Sequence, residues 1–398
     1  MGQQQKTSAL SRRGLETNPV FAPHPEDCIS FGAGDAYPEL MPDFTAAATV
    51  ALNKYRAETL QYAPRLGLLP FREWIIELLV SEGIKISPTE MIVVSGAKQG
   101  LDLVCKLLLN EGDCVAVTGP TYFTGIPIFR SHGVSFLQVP QDAEGLSVDF
   151  LRREIYLRRQ RGQPTPKLIY DIPDFHNPTG ITMSQNRRHD LVELAEELSI
   201  FIVEDSPYRQ IRFEGIGVPP LKALDRSGCV IYLGTLSKVL APGLRLGWIA
   251  TSQENAARIA QLKADGGTSP LIQRLAVEYC AEGNLPVHLN RVRSEYKRHR
   301  DIMVAALRKH IPQASFAVPQ GGYYIWVNFP GGRDADRIAE NALEKGVEII
   351  SGTRFFANRD GAYPANRAAG SDFVRLAFSS ASPIEIEDGI GRLAELFR

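Results

Sequence analysis

Cysteine is scarce in this sequence of 398 residues, with only five copies. The cysteines are scattered, odd in number and include no pair separated by two residues. This distribution argues against a disulfide framework and against a cysteine-based zinc site, and it predicts buried thiols in a reducing compartment. We therefore expect a cytoplasmic protein without a bound metal.

Long apolar runs and an excess of one charge are also missing. No stretch approaches the roughly 18–20 apolar residues of a membrane span, and the first ten residues, MGQQQKTSAL, lack the apolar core of a signal peptide. The 44 basic and 45 acidic side chains give a net charge of −1, which provides no broad electrostatic footprint for nucleic acid. We expect neither a membrane nor a nucleic-acid partner.

What the sequence does contain is a series of short, β-branched apolar runs between residues 91 and 250. They begin at residues 91, 114, 135, 167, 200, 229 and 246, and helical segments, clearest at Gln99–Asn110 and Gln185–Leu198, separate most of them. Apolar runs without alternation are typical of strands buried on both faces. The pattern predicts an α/β fold, whose large domain has a mostly parallel seven-stranded sheet between layers of helices.

The pattern changes after about residue 252, where long helical segments lead into GGYYIWVNFP and DFVRLAFSS. The first 45 residues are irregular and rich in proline and glycine. We predict a large domain over residues 46–285 and a smaller α+β domain over residues 286–398. The N-terminal segment, residues 1–45, is expected to join the smaller domain.

Polar residues follow five of the predicted strands. In an open parallel sheet, ligands bind outside the carboxyl ends of the strands, so these loops are expected to meet at one crevice. The loops contain Ser95–Ala97, Pro120–Tyr122, His176–Pro178, Asp205 and Thr235–Lys238.

Lys238 lies between two apolar runs, a position where an ammonium group is costly to desolvate. Taken alone, it is a lysine at a strand end with its head in water. However, Thr235 and Ser237 supply hydroxyls nearby, and Arg245 supplies a guanidinium suited to a phosphate. A lysine that forms a Schiff base with a phosphate-bearing aldehyde describes pyridoxal 5'-phosphate (PLP), which we predict as the cofactor.

Four further loops fit the same cofactor. Asp205 closes the run IFIVED, where a pyridinium nitrogen would compensate its charge; the alternative is that Glu204 and Asp205 cap a helix. Tyr208 and the amide of Asn177, in the turn DFHNPTG, could bond the phenolic oxygen of the ring. Tyr122 could stack on the ring or fill the core. Gly96, Ala97 and Lys98 lie between a predicted strand and a predicted helix. The backbone N–H groups at the start of that helix could bind a phosphate.

Together these segments resemble the fold-type I PLP enzymes of the class I and II aminotransferase family. The resemblance is closest to the branch of the 2-aminoadipate and kynurenine-type aminotransferases and of the catalytic domains of MocR-like regulators, and it extends over nearly the whole chain. The matching motifs are ISFGAGDAYPELMP, LQYAPRLGLLPFREW, SGAKQGLDL, HNPTG, VEDSPYR, LGTLSKVLAPGLRLGW, PQGGYYIW, TRFFAN and VRLAFS.

The resemblance implies a PLP-dependent aminotransferase, which moves an amino group from an L-α-amino acid or a related amine to a 2-oxo acid. The implied mechanism is ping-pong, through an external aldimine and a quinonoid. Lys238 would carry the cofactor and move protons at the substrate α-carbon, and Asp205 would pair with the pyridine nitrogen. Asn177 and Tyr208 would bond the phenolic oxygen, and Tyr122 would stack on the ring. The phosphate would be held by Gly96, Ala97, Lys98, Thr235, Ser237 and Arg245.

The resemblance also implies a homodimer with shared active sites, in which Tyr62 reaches the phosphate of the neighbouring subunit. Arg375, in the apolar stretch FVRLAF, would bind the substrate α-carboxylate with Asn177 and the backbone of Gly34. A guanidinium in such a strand needs an anion, and the alternative partner is an internal Asp or Glu. Tyr323 and Tyr324 would line the side-chain pocket or fill the core.

His176 departs from the family pattern, since this branch usually has glutamine before NPTG. The histidine could carry a proton in catalysis, or it could simply replace a polar glutamine. If it is catalytic, the alternatives to transamination are O2-dependent oxidative deamination, decarboxylation and β-elimination. A regulatory ligand sensor is a further alternative, but only about 28 residues precede ISFGAG, too few for a DNA-binding module. The sequence does not identify the amino donor.

Overall fold

The computed structural model describes residues 11–15, 28–281, 283–329, 334–357 and 369–397. The strands of this part of the chain are β1 Ile29–Ser30, β2 Met91–Val94, β3 Cys114–Gly119, β4 Ser135–Asp142, β5 Gly145–Leu146, β6 Pro166–Asp171, β7 Phe201–Asp205, β8 Val230–Thr235, β9 Gly247–Ala250, β10 Ser315–Phe316, β11 Tyr324–Asn328, β12 Val347–Glu348, β13 Ile350–Ser351 and β14 Phe373–Ala377.

The α-helices of the described residues differ widely in length, from one turn to 27 residues. They are α1 Arg12–Leu15, α2 Thr45–Lys54, α3 Arg56–Thr59, α4 Leu69–Ser81, α5 Ala97–Leu108, α6 Ile126–Ser131, α7 Val148–Gln160, α8 Gln185–Leu198, α9 Leu221–Leu224, α10 Gln253–Leu262, α11 Pro270–Ala281, α12 Asn284–His310, α13 Ala335–Glu344 and α14 Pro383–Ala394. Short 3-10 turns lie at Pro38–Leu40, Pro88–Glu90, Pro242–Leu244, Gly352–Phe355 and Glu395–Phe397.

Serine residues begin several of these helices. Ser184 accepts a hydrogen bond from the backbone N–H of Arg187, and Ser252 accepts one from that of Asn255, so each satisfies a free donor of its first turn. As a result, α8 begins at Gln185, where its sequence pattern begins. Among the described residues, none of the helices has both the length and the apolar character that a membrane span requires.

The large sheet has the strand order β2-β9-β8-β7-β6-β3-β4-β5. The strands β8, β7, β6, β3 and β4 are parallel, β9 runs antiparallel between β2 and β8, and β5 is an antiparallel edge strand. The seven predicted strands are all present, and the α/β prediction is confirmed. The eighth strand, β5, has only two residues, which is too short for any periodic signal.

The arrangement of strands brings five loops to one edge. The backbones of β2 and β8 both run antiparallel to β9, so β2 has the same direction as the parallel strands. The carboxyl ends of β2, β3, β6, β7 and β8 therefore lie at the same edge of the sheet, as the sequence predicts.

A second, antiparallel sheet has the order β10-β11-β14-β13. Arg375 occupies the middle of β14, opposite Trp326 of β11 and Ile350 of β13. The short strand β1 pairs in parallel with β12, and the backbone N–H of Ala377 donates to the carbonyl of Phe31. The segment around β1 thus packs along the second sheet.

Candidate active site

A cavity of about 220 Å³ lies at the carboxyl edge of the large sheet. Its walls come from the five loops that the sequence singles out, together with the loop after β1. The lining residues are Asp35, Ala97, Lys98, Leu101, Tyr122, Ile172, Asn177, Asp205, Pro207, Tyr208, Thr235, Ser237, Lys238, Pro242 and Arg245.

Lys238 lies in the loop between β8 and β9, where its half-buried side chain faces this cavity. Its Nζ donates a hydrogen bond to the carbonyl of Gly34 and lies 5.2 Å from the ring centre of Tyr323. The hydroxyl of Tyr323 donates to the carbonyl of Lys238 at 2.9 Å, which fixes the lysine backbone. Among the described residues, Lys238 has no carboxylate partner, so its amine is free for covalent chemistry.

Asp205, at the end of β7, has one satisfied and one unsatisfied oxygen. Oδ2 accepts a hydrogen bond from the hydroxyl of Tyr170 at 2.7 Å, whereas the buried Oδ1 has no partner in the described structure. Burial raises the pKa of Asp205 to about 6, because an ionised carboxylate is poorly solvated there. An unpartnered carboxylate oxygen at the cavity wall fits the protonated ring nitrogen of PLP.

The helix-capping alternative applies to Glu204 and not to its neighbour. The carboxylate of Glu204 accepts hydrogen bonds from the backbone N–H groups of Leu221 and Lys222, at 3.0 and 2.8 Å, and so caps the start of α9. Asp205 points to the opposite side of the strand, as alternate residues do. Of the two adjacent acids, Glu204 therefore caps a helix and Asp205 faces the cavity.

The phosphate-binding residues predicted from the sequence form the other end of the cavity. Gly96 precedes α5 with a φ of +86°, and a Cβ there would lie 2.6 Å from Nη2 of Arg245. Arg245 itself has a φ of +50°, which turns its guanidinium back so that Nη2 donates to the carbonyl of Ser95 at 3.3 Å. The hydroxyls of Thr235 and Ser237 hydrogen-bond each other at 2.9 Å. A helix N-terminus beside a guanidinium and two hydroxyls is a suitable anion site.

Arg375 is 2% exposed, and its guanidinium forms no ion pair with any carboxylate of the described residues. Nη1 donates to Oδ1 of Asn177 at 3.0 Å, Nη2 donates to the carbonyl of Gly32, and the buried Nε has no partner. The amide nitrogen of Asn177 is also buried without a partner. A buried cation in this state calls for an external anion, and a substrate carboxylate fits that requirement.

Aromatic rings surround the guanidinium of Arg375. Its Cζ lies 4.0 Å from the ring centre of Tyr324, 5.1 Å from that of Phe355 and 5.4 Å from that of Phe123. The hydroxyl of Tyr208 donates to that of Tyr324 at 3.3 Å, so Tyr324 connects the cofactor side of the cavity to Arg375. The rings exclude water from this region and strengthen its charge interactions.

Gly34 does not line the cavity, but its carbonyl accepts the hydrogen bond from Nζ of Lys238. A Cβ on Gly34 would come within 1.9 Å of the Tyr324 hydroxyl, so only glycine fits there. Tyr122 lines the cavity, and burial raises its pKa to about 12. It therefore contacts a ligand as a neutral phenol.

Some predicted site residues do not line the cavity; besides Gly34, these include Gly96, Arg375, Tyr62 and His176. Tyr62 is 86% exposed, on the surface of the subunit. His176 is fully buried, with Nε2 at 2.8 Å from Oγ1 of Thr118 and Nδ1 at 3.2 Å from Oγ1 of Thr179. Burial lowers the pKa of His176 to about 3, so its ring is neutral at physiological pH. Its two contacts connect Thr118 at the end of β3 with Thr179 in the turn that carries Asn177.

Tyr170, which holds Asp205, was not predicted from the sequence. It lies within β6, opposite Val203 of β7, and the diagonal neighbour of that pair on the same face is Asp205. The tyrosine in KLIYDIP and the aspartate in IFIVED each stand in a buried strand, but the pairing register that joins them is not readable from one sequence. Phe123 and Phe355 were missed for the same reason, since they approach Arg375 only in the folded chain.

Comparison with known proteins agrees with this geometry. The family profile described as "Aminotransferase class I and II" matches residues 26–393. The chain is 37% identical over 381 residues to aromatic-amino-acid aminotransferase 1 of Thermococcus litoralis, covering 94% of this chain and 88% of that protein.

Two solved structures are similar over almost their whole length. A kynurenine aminotransferase of Pyrococcus horikoshii superposes with a TM-score of 0.90 at 33% identity, covering 99% of this chain and 97% of that one. LysN, an α-aminoadipate aminotransferase of Thermus thermophilus complexed with N-(5'-phosphopyridoxyl)-L-leucine, superposes with a TM-score of 0.86 at 31% identity, covering 98% and 97%.

These comparisons and the unpartnered atoms of Asp205, Asn177 and Arg375 point to the same chemistry. Nothing in the comparisons favours the oxidative or decarboxylating alternative. The chain therefore belongs to the class I and II aminotransferase family and is a PLP-dependent enzyme that transfers amino groups.

Proposed function

We propose that this aminotransferase takes its amino group from an L-α-amino acid with a large apolar or aromatic side chain and passes it to a 2-oxo acid. The observation that carries the proposal is the combination of unpartnered buried atoms around Lys238. These atoms are Oδ1 of Asp205, Nδ2 of Asn177 and Nε of Arg375. One is an acceptor and two are donors, which suits a protonated ring nitrogen at one place and a carboxylate at another.

The residues around the cavity would hold PLP as the resemblance implies. Bound PLP supplies an electron sink for the negative charge that develops at the substrate α-carbon. Asp205 would keep the proton on the ring nitrogen, and Tyr122, Asn177 and Tyr208 would contact the ring. The phosphate would be held by Gly96, Ala97, Lys98, Thr235, Ser237 and Arg245, at the N-terminus of α5.

Lys238 and Arg375 would act directly on the substrate. Lys238 would hold the cofactor through Nζ, and the same amine would serve as the base that moves the proton at the substrate α-carbon. Arg375 binds the α-carboxylate through its guanidinium, together with Asn177 and the backbone of Gly34. A fixed carboxylate orients the Cα–H bond toward the lysine, which lowers the entropy cost of the proton transfer.

The preference for a large apolar donor is supported by the rings beside Arg375. The ring centre of Phe355 lies 5.2 Å from that of Phe123 and 5.3 Å from that of Trp326, so the three side chains form one aromatic cluster. Asp35 lines the cavity as an acidic group, which disfavours a donor whose side chain is also a carboxylate. The names of the T. litoralis and P. horikoshii relatives, which refer to aromatic amino acids and kynurenine, support the same class.

We propose a positioning role for His176 in place of proton transfer. The sequence leaves both roles open, but a neutral ring with a pKa of about 3 is a poor proton carrier at pH 7. Its contacts with Thr118 and Thr179 fix the turn that carries Asn177.

The oligomeric state, the domain division and the cellular location are part of the same proposal. A homodimer with shared sites is supported by the exposure of Tyr62 and of Leu60, at 86% and 63%, on the segment expected to reach the partner. The assignment of the N-terminal segment to the smaller domain is supported by the pairing of β1 with β12. The low cysteine content supports a cytoplasmic location.

Borohydride reduction of the PLP-loaded protein tests the assignment of Lys238. Both Lys238 and Lys98 line the cavity, so they provide a matched pair. We expect peptide mass mapping to find the reduced cofactor on Lys238 and none on Lys98. Attachment at Lys98, or full activity of Lys238→Ala, would overturn the proposed site.

A panel of amino donors tests the proposed reaction and donor class. We expect phenylalanine, tyrosine and kynurenine to bleach the bound PLP absorbance under anaerobic conditions, and a 2-oxo acid to restore it. Aspartate is the contrasting donor and should be at least tenfold less effective. Turnover that requires oxygen and no oxo acid would refute transamination.

A further inference from the structure

A second cavity, of about 560 Å³, lies outside the active site. It is enclosed by the end of α4, the loop that follows Tyr208, and the middle of α12. We call it the arginine pocket, because three arginines are among its lining residues. These residues are Ser81, Glu82, Arg209, Gln210, Arg212, Phe213, Glu214, Gly215, Gly217, Val218, Pro219 and Arg293.

Two of the three arginines share one buried carboxylate beneath the pocket. Nη1 of Arg209 lies 2.9 Å from Asp174, and Nη2 of Arg212 lies 3.2 Å from it. Asp174 is also bound by Arg188, which is fully buried, at 3.0 Å. Three guanidinium groups thus depend on a single aspartate. Arg209 has a second carboxylate partner, Glu82, at 2.9 Å. Among the described residues, Arg212 has no carboxylate partner other than the shared Asp174.

Arg293, on α12, has no carboxylate partner among the described residues. Its Nε donates to the backbone carbonyl of Gln210 at 2.7 Å, which holds the guanidinium at the pocket wall. Burial lowers the pKa of Arg293, and no nearby anion offsets this effect. A half-buried cation held in this way is more stable with a counter-ion.

The acidic residues of the lining do not provide that counter-ion. Glu82 binds Arg209 and also accepts from the side-chain amide of Gln210 at 3.2 Å. Glu214 binds Arg300 at 3.0 Å and Lys297 at 3.2 Å, which are cations outside the pocket lining. Positive charge therefore exceeds negative charge at the wall formed by Arg212 and Arg293.

We propose that the arginine pocket binds a multiply charged small-molecule oxyanion, a phosphate ester or a polycarboxylate, through Arg212 and Arg293. Guanidinium groups bind such oxyanions through paired N–H donors. The pocket is large enough for an anion with two charged ends, and it is separate from the cavity that contains Lys238. The site is additional to the sites for cofactor and substrate.

Calorimetric titration of the PLP-loaded holoenzyme tests this inference, with pyrophosphate as one probe and citrate as the other, at constant ionic strength. We expect one saturable site per chain for at least one probe and an unchanged PLP absorbance, because the cofactor stays in place. Arg293→Gln is expected to weaken binding at least tenfold. The matched control is Arg298→Gln on the same helix, since Arg298 is an exposed arginine paired with Glu295, and it should bind as the unmodified enzyme does.

Three results would overturn the inference. They are the absence of saturable binding for both probes, equal affinity in Arg293→Gln and the unmodified enzyme, and binding that displaces PLP. Binding lost equally in Arg298→Gln would indicate general charge attraction and would also overturn it. Arg212→Gln provides a second variant, and its circular dichroism spectrum reports whether the Asp174 cluster still folds.

Discussion

At the scale of single residues, the active site is defined by polar atoms that the protein itself does not satisfy. One oxygen of Asp205 accepts a hydrogen bond from Tyr170, and the other faces the cavity without a partner. Two nitrogens of Arg375 donate hydrogen bonds to Asn177 and Gly32, whereas Nε has no partner. Buried groups of this kind destabilise a fold unless a ligand completes them.

The stability of the PLP-free protein is expected to depend on pH through Asp205. Its pKa of about 6 lies above the ordinary value of 3.8, so the folded state holds more protons than the unfolded chain between pH 4 and 6. Stability is lost as the pH rises through this window. Asp205→Asn removes this ionisation. As the pH rises from 4.5 to 8, the free energy of unfolding of its apo-protein should therefore increase by on the order of 2–3 kcal/mol relative to that of wild type.

Urea unfolding of both apo-proteins across that pH range measures the difference. Asp190→Asn, at an exposed aspartate, is the control and should follow wild type. Bound PLP should reduce the pH dependence, since the ring nitrogen compensates the charge of Asp205. A constant difference between Asp205→Asn and wild type would show that the carboxyl is not destabilised by burial.

His176→Gln is expected to retain activity within about threefold, because glutamine can still contact Thr118 and Thr179. A neutral ring with a pKa of about 3 does not titrate between pH 5 and 9, so the kcat profile should keep its shape. His176→Leu provides the contrast, since it removes both hydrogen bonds and should raise the KM for the amino donor. Loss of one limb of the pH profile in His176→Gln would instead assign proton transfer to this residue.

At the scale of secondary-structure elements, the site is a property of strand direction. The loops that contain Gly96, Tyr122, Asn177 and Lys238 follow strands that end at one edge of the sheet. This convergence could be predicted, because buried strands and amphipathic helices have clear periods and ligands bind at the carboxyl ends. The Tyr170–Asp205 contact could not be predicted from the sequence, because it depends on the register between β6 and β7.

The phosphate end of the cavity depends on the backbone at Gly96. In Gly96→Ala, the new methyl group would meet Arg245 at 2.6 Å, and a φ of +86° strains any residue with a Cβ. We expect the affinity for PLP to fall at least tenfold, as measured by equilibrium dialysis. Gly243→Ala is the matched control two residues before Arg245, and a Cβ there meets nothing within 4 Å. Equal affinities for the two variants would contradict the proposed role of this loop.

At the scale of the whole molecule, the proposed binding site for the substrate carboxylate lies between the two sheets. Arg375 comes from the second sheet, Asn177 from a loop of the large sheet, and Gly32 and Gly34 from the segment after β1. Sequence composition does not indicate that these segments come together. The apolar stretch around Arg375 predicted that it needs an anion, but only the family resemblance identified that anion as the substrate carboxylate. Contacts between residues almost 200 positions apart are set by packing and not by local pattern.

Complementation tests whether the homodimer shares its sites. Lys238→Ala should be inactive, and Tyr62→Phe should bind PLP weakly because one phosphate donor is lost. Mixed dimers contain one site with Lys238 from one chain and Tyr62 from the other, so refolding the two variants together should restore activity to about a quarter of wild type for random pairing. The mixture should remain as inactive as the separate variants if Tyr62 acts within its own subunit or not at all.

The space around Gly34 also has a consequence for changing the specificity of the enzyme. A side chain at position 34 would overlap the Tyr324 hydroxyl, so this position is closed to variation. Asp35, the next residue, is exposed and lines the cavity. Directed evolution toward new amino donors therefore has its nearest tolerant position in this segment at residue 35, where charge and size can change without disturbing the residues that hold the cofactor.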